Sequence, residues 1–329
     1  MVRVLYLSGL DRSGTTLLER ILGELPGVAP LGEVVHLWRR HLIDDERCGC
    51  GLLFSACPFW HAVGEHAFSG WSNVDLDRVL ALREAVERAR HLPSLAAPWL
   101  PPRRRELVRE YAGFYARVYQ AAAQVASAQV VVDSSRHGAL ALCLRWSPEV
   151  ELRIVHVVPD SRDIGNPRSR KSVRPGSGTG EDGARSGRAA LLRSAQTTAF
   201  DVLTRCGIAH WSTRPSAEET TRPAEDTPRP AQLCRLRYER LLANPIGAVR
   251  DIATFAGLEV ADESLGFLHR DSVHLGPAHI AAGHPMRFAT GRIPLRPDGG
   301  WRSQSAPRRR AVVAAMSSPL LTAYGHARR

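Results

Sequence analysis

Short apolar runs alternate along the chain with segments of helical spacing. Val2 to Leu7 is nearly continuous in apolar residues, with two valines and a tyrosine, the pattern of a buried strand. Gly9 to Gly14 reads as a turn. From Thr15 to Leu25 the residues Leu17, Leu18, Ile21, Leu22 and Leu25 share one broad helical face, and Pro26 and Gly27 end it. A further helix is predicted from about Glu33 through Ile43. Helical patterns fill about Val74 to Ser127, interrupted by LPSLAAPWLPP. AQVVVDSS, residues 128–135, is a buried strand, followed by a helix carrying Leu140, Leu142 and Leu144. LRIVHVV, residues 152–158, is another strand.

A helix is expected around 189–205. CRLRYERLLANP, residues 234–245, passes from strand to helix and continues through IGAVRDIATFAGL. The C-terminal PRRRAVVAAMSSPLLTAYG ends in a helix. Residues 173–188 and 212–230 are rich in Gly, Pro, Thr and Glu without an apolar face, and read as mobile loops. Strands separated by helices imply a parallel sheet with right-handed crossovers. The expected fold is α/β, with a central parallel sheet flanked by helices. Residues 1–329 form a single domain, with a helical insertion at about 60–127.

The net charge of +11 changes the list of partners. A basic surface attracts nucleotides, nucleic acids and acidic membranes alike, and clusters such as PPRRRE and APRRRA read as solvated faces. No apolar run reaches the roughly 18 residues that span a bilayer. The N-terminal run is too short for a signal sequence. The expectation is a cytoplasmic protein without stable membrane insertion and without a nucleic-acid partner.

Gly9 and Gly14 have the spacing of the phosphate loop G-x-x-x-x-G-K-[ST], but Thr15 stands in the lysine position, followed by Thr16. Glycines let the backbone curl so that successive N–H groups converge on an anion, and the following helix adds its positive end. This makes the fold P-loop-like. Arg12, inside the loop, supplies a cation from another direction. VVVDSS ends its strand at Asp133, where a kinase would hold magnesium, so a small-molecule kinase stays open as an alternative.

Six cysteines do not make a disulfide scaffold. Cys48, Cys50 and Cys57 cluster, and His61 would complete four zinc ligands. The spacing is not that of a standard finger, so a local turn with buried thiols is expected, and no metal.

LDRSGTTLLERIL resembles the 5′-phosphosulfate loop of the sulfotransferases that use 3′-phosphoadenosine 5′-phosphosulfate (PAPS). Tyrosylprotein sulfotransferases and many bacterial members have arginine where Arg12 stands. The resemblance implies that Asp11, Arg12, Ser13, Gly14, Thr15, Thr16 and Leu17 hold the donor. Transfer of a sulfuryl group needs less charge neutralisation than phosphoryl transfer, so the missing lysine and the absence of a metal fit that chemistry.

ELPGVAPLGEVVHLWRR resembles the segment where that family carries its catalytic base, which falls on Glu33, with His36 as a lesser candidate. VVVDSSRHGALAL resembles the strand end near the cofactor. It implies Ser135 as a ligand and Arg136 as a second cation beside the transferred group. HVVPDSRDIGNPRSRKS resembles the 3′-phosphate segment. Pro159 and Pro167 stand where the family has an arginine and a serine, leaving Arg162, Arg168, Ser169, Arg170 and Lys171 to compensate. Lys171 matches a basic position of the tyrosylprotein enzymes.

LRYERLLANP resembles the family's strand–helix junction and brings Tyr238 to the nucleotide, with Glu239 serving the helix start. GHPMRFATGRIPLRPDGGWRS resembles a bacterial segment in which Arg287 and Gly291 close over the 3′-phosphate and Trp301 packs nearby. His284 replaces the usual asparagine.

The implied reaction is transfer of a sulfuryl group from PAPS to a small-molecule, carbohydrate or lipid-linked hydroxyl. A non-catalytic nucleotide- or polyanion-binding member of the fold is the other alternative.

Overall fold

The computed structural model describes residues 1–9, 13–158 and 231–296. Five strands make one sheet: β1 (Val2–Gly9), β2 (Val28–Gly32), β3 (Val130–Asp133), β4 (Val150–Val158) and β5 (Gln232–Arg237). Their order is β2-β3-β1-β4-β5, and every adjacent pair is parallel. The described helices are α1 (Thr15–Leu22), α2 (Pro58–Phe68), α3 (Leu76–Val86), α4 (Leu92–Ala96), α5 (Pro102–Val125), α6 (Gly138–Leu144), α7 (Tyr238–Ala243) and α8 (Pro245–Ala256).

Alternation along β1 explains the layers. Val4 and Tyr6 join Val131 and Ile154 in a core with α5 and α6. Leu5 and Leu7 join Val132 and Val155 in a second core with α1 and α8. A parallel sheet with both faces covered reads as continuous apolar runs, which is why these strands were visible in the sequence. The expected P-loop-like α/β sheet flanked by helices is present.

Four local expectations are corrected. Helix α1 stops at Leu22 rather than Leu25, because Gly23 caps it and donates its N–H to Glu19 O. A Cβ on Gly23 would lie 2.5 Å from Pro30 Cγ, so only glycine lets the chain turn into β2. Strand β2, VAPLG, was not anticipated. It occupies the sheet edge, where the missing N–H of Pro30 is tolerated.

In place of the helix expected at 33–43 there is a 3-10 turn, Val34–His36, followed by a π turn, Leu37–His41. Val34, Val35, Leu37, Trp38 and His41 are all buried. Their packing, with Leu42 N–H bonded to Leu37 O, widens the winding. Finally, β6 (Ser272–Leu275) and β7 (Gly291–Pro294) form an unforeseen antiparallel pair. The segments expected at 173–188, 189–205, 212–230 and the C-terminal helix lie outside the described residues.

Candidate active site

The carboxyl edge of the sheet gathers most of the described candidates. Strand β1 ends at Gly9, where a Cβ would lie 2.5 Å from Ser13 Oγ and 2.7 Å from Val157 O. Gly14 has φ 84° and caps α1. A Cβ there would overlap the ring of Tyr238, the first residue of α7. Both positions therefore require glycine. The first helical bond is Leu18 N–H to Gly14 O, so the N–H groups of Thr15, Thr16 and Leu17 have no acceptor within the helix.

Ser13 is fully buried, and its hydroxyl has no hydrogen-bond partner among the described residues. An orphaned buried hydroxyl costs about 1–3 kcal/mol. An anionic oxygen in the curl of the loop would satisfy it, so these residues fit a phosphate-bearing donor. Asp11, Arg12 and Lys171 lie outside the described residues, as do Pro159, Pro167 and Trp301.

Glu33 follows β2 and is 5% exposed. Its Oε1 accepts a 2.5 Å hydrogen bond from Arg136 Nη2. Its other oxygen faces His36 Nε2 at 3.5 Å. Burial pushes His36 down to about 3, with the charges of His137, Arg40 and Arg83 adding to the fall, so the imidazole is neutral at neutral pH and the contact is not an ion pair. Arg136 sits just beyond β3 with φ 62°, a left-handed conformation that strains a side-chain-bearing residue. Its backbone is bent so that its guanidinium reaches Glu33.

The residues beside Arg136 also hold the local turns together. Ser135 Oγ accepts from Val35 N–H at 2.9 Å, fixing the turn after Glu33. Asp133 Oδ1 accepts from Ser135 N–H, and its Oδ2 accepts from Tyr119 at 2.5 Å. Burial raises the Asp133 carboxyl to about 6 against those hydrogen bonds. Both oxygens thus accept hydrogen bonds inside the protein, and the residue is fully buried.

Sequence reasoning missed Glu19 and Arg20. Both are buried in α1. Glu19 Oε1 accepts from Gly32 N–H and its Oε2 from Ser134 Oγ, each at 2.6 Å, tying α1 to the ends of β2 and β3. Arg20 donates to Arg287 O at 2.6 Å and to Gly276 O. Gly276 N–H in turn binds Glu24 at 2.8 Å. The available signal was two consecutive ionisable residues, Glu19 and Arg20, set among the apolar residues of α1.

Arg287 is brought close by Arg20, but its side chain is 7% exposed and turned inward. It donates to Gly283 O at 2.9 Å and to Arg47 O at 3.4 Å, and lies 3.6 Å from Glu46 Oε2. His284 Nδ1 accepts from Met286 N–H. Cys48, Cys50 and Cys57 do meet, but their histidine neighbour is His279, not His61, which is exposed.

No protein-family model matches the sequence, and no curated protein matches it. Three solved sulfotransferase structures resemble the chain. The sulfotransferase domain from the curacin biosynthetic pathway is 12% identical, covering 97% of this chain and 98% of that one, with a TM-score of 0.48. The sulfotransferase domain from the Synechococcus PCC 7002 olefin synthase is 17% identical, covering 96% and 94%, with a TM-score of 0.41. A sulfotransferase from Mycobacterium tuberculosis H37Rv is 20% identical, covering 80% and 70%, with a TM-score of 0.41. The likeness is one of fold and carries no chemistry of its own. No helix among the described residues is long and apolar enough to cross a membrane.

Proposed function

We propose that the chain is a sulfotransferase that moves a sulfuryl group from PAPS to the hydroxyl of a small-molecule, carbohydrate or lipid-linked acceptor. The observation that supports this reading is a carboxylate fixed by an arginine and tied, through the residue before it, to the helix that follows a glycine turn lacking the kinase lysine. Glu33 is fixed by Arg136, and Gly32, the residue before it, is bonded to the loop's own helix through Glu19. Ser13 and the N–H groups of Thr15, Thr16 and Leu17 bind the donor's phosphate end, with Arg12 as the cation and Tyr238 packed behind Gly14. Lys171 serves the 3′-phosphate.

Bound in that loop, PAPS supplies an activated sulfuryl group. Glu33 would accept the proton of the acceptor hydroxyl as that oxygen takes the sulfuryl group, with the bond from sulfur to the 5′-phosphate oxygen breaking and adenosine 3′,5′-bisphosphate leaving. Arg136 holds the carboxylate in orientation, and its charge borders the transferred group. Arg287 acts from behind, fixing the carbonyls of Gly283 and Arg47. Much of the acceleration comes from alignment of the reacting atoms. Thr15 in place of the phosphate-loop lysine argues against a magnesium-dependent kinase.

Thermal-shift measurements with adenosine 3′,5′-bisphosphate and with ATP–magnesium test the reading. Stabilisation by the bisphosphate alone is expected. Stabilisation by ATP–magnesium alone, or only by a heparin-like polymer, overturns it.

A further inference from the structure

We propose that Cys48, Cys50, Cys57 and His279 bind one zinc ion as a closed structural site. The four ligand atoms all lie within 4.8 Å of one another. The Sγ atoms of Cys48 and Cys57 are 3.7 Å apart, and those of Cys50 and Cys57 are 3.8 Å apart. His279 Nδ1 is 3.3 Å from Cys57 Sγ and 3.9 Å from Cys48 Sγ. A tetrahedral ion with Zn–S bonds of about 2.3 Å and Zn–N bonds of about 2.0–2.1 Å places its sulfurs about 3.8 Å apart, and sulfur and nitrogen about 3.5 Å apart. Those four separations lie within about 0.4 Å of these values. A disulfide needs sulfurs about 2.05 Å apart, and every described cysteine is a free thiol.

The surroundings are built for the same purpose. Cys48 and Cys57 are fully buried. Their sulfurs accept backbone N–H groups from Cys50 and Trp60 respectively, contacts that fix the direction in which each sulfur points. The ring of His279 is fixed by stacking on Phe59, at 5.1 Å between centroids and 14° between planes. Three thiolates and an imidazole suit zinc among the common divalent ions. Four protein ligands leave no open position, the mark of a structural site rather than a catalytic one. Binding releases the thiol protons to solvent.

The ion would join two distant parts of the chain. Gly49 N–H bonds to Ile280 O at 2.8 Å, and a Cβ on Gly49 would lie 2.6 Å from Ala278 O. Ala281 N–H bonds to Leu31 O, and Glu33 N–H bonds to Ala282 O at 3.1 Å. Zinc therefore clamps the 48–57 turn onto the segment 278–283 that braces Glu33. This assignment stands independently of the sulfuryl-transfer reading.

Elemental analysis tests it, on the full chain purified without a metal-affinity step and dialysed against metal-free buffer. One zinc per chain is expected, lost in Cys57→Ser and in His279→Ala but kept in His61→Ala. Exchange with cobalt(II) should give the intense visible and near-ultraviolet absorption of a tetrahedral thiolate complex. A folded wild-type chain without stoichiometric zinc, whose three thiols react readily with an alkylating agent, overturns the proposal. So does zinc that survives both variants, or a weak octahedral cobalt spectrum. Should the cysteine variant fail to fold, wild-type stoichiometry and the cobalt spectrum still decide.

Discussion

The Glu33 carboxylate and the Arg136 guanidinium meet at 2.5 Å across 103 residues of sequence. Arg136 keeps a left-handed backbone to make that contact, with φ 62°. The two features separate by mutation. Arg136→Ala leaves the nearly buried Glu33 without this partner, at about 1.5–3 kcal/mol, and keeps the strain. Arg136→Gly loses the same partner but relieves the backbone, so it should be more stable than the alanine variant by about 1 kcal/mol. Urea denaturation measures the difference. Equal stability would show that the backbone at Arg136 carries no strain.

Glu33→Gln preserves an oxygen for Arg136 and removes the proton acceptor. Transfer to the acceptor should fall by about 10²–10⁴-fold, the range of general-base catalysis. The thermal shift induced by adenosine 3′,5′-bisphosphate should be unchanged. Full transfer activity in this variant removes Glu33 as the base.

Glu19 gives a pH signature. Burial raises its carboxyl to about 8 from 4.5, opposed by hydrogen bonds from Ser134 and Gly32 and helped by the charges of Asp133 and Glu33. The folded value lies above the unfolded one. The stabilising contribution of the neutral acid is complete below about pH 4.5 and is lost as pH rises through about 8, at up to about 1.4 kcal/mol per pH unit. Glu19→Gln fixes a neutral form in which the amide oxygen accepts from Gly32 N–H and the NH2 donates to Ser134 Oγ. Its stability relative to wild type should therefore rise steadily between about pH 5 and pH 9. Parallel pH profiles would contradict a raised carboxyl.

The Ser13 hydroxyl is buried without a partner among the described residues. Ser13→Ala should cost the free protein nothing or stabilise it slightly. If the hydroxyl donates to the donor's phosphate, the same change weakens bisphosphate binding by about 10–100-fold, the worth of a hydrogen bond to a charged group. Calorimetric titration reads this directly. Unaltered affinity would place the phosphate elsewhere.

The parts of this molecule that were legible in its sequence are those with local signals. The apolar run of β1, the glycines at 9 and 14 and the leucine face of α1 lie within two dozen residues, and together they define a strand, an anion loop and a helix. Strand β2 escaped because Pro30 and Gly32 look like turn residues, and only the sheet edge makes them acceptable. The π turn at Leu37–His41 escaped because packing, not periodicity, sets its winding. Glu19 and Arg20 escaped because their roles rest on distant partners. Their partners lie as far as 267 residues away, where no spacing rule reaches. His279 meets Cys57 across 222 residues, so it was no more visible beside the cysteines than those partners, and only the nearby His61 suggested a fourth ligand.

Helix α1 is only eight residues long, yet Glu19 anchors it to two strand ends and Arg20 grips the chain near its far terminus. The stretch from Gly276 to Arg287 consequently cannot peel away without stripping a guanidinium of its buried acceptors. Amides in that stretch and in the helix should exchange with deuterium together, as one cooperative unit. The curl at Gly14 is thereby joined, through fewer than two turns of helix, to residues more than 250 positions downstream.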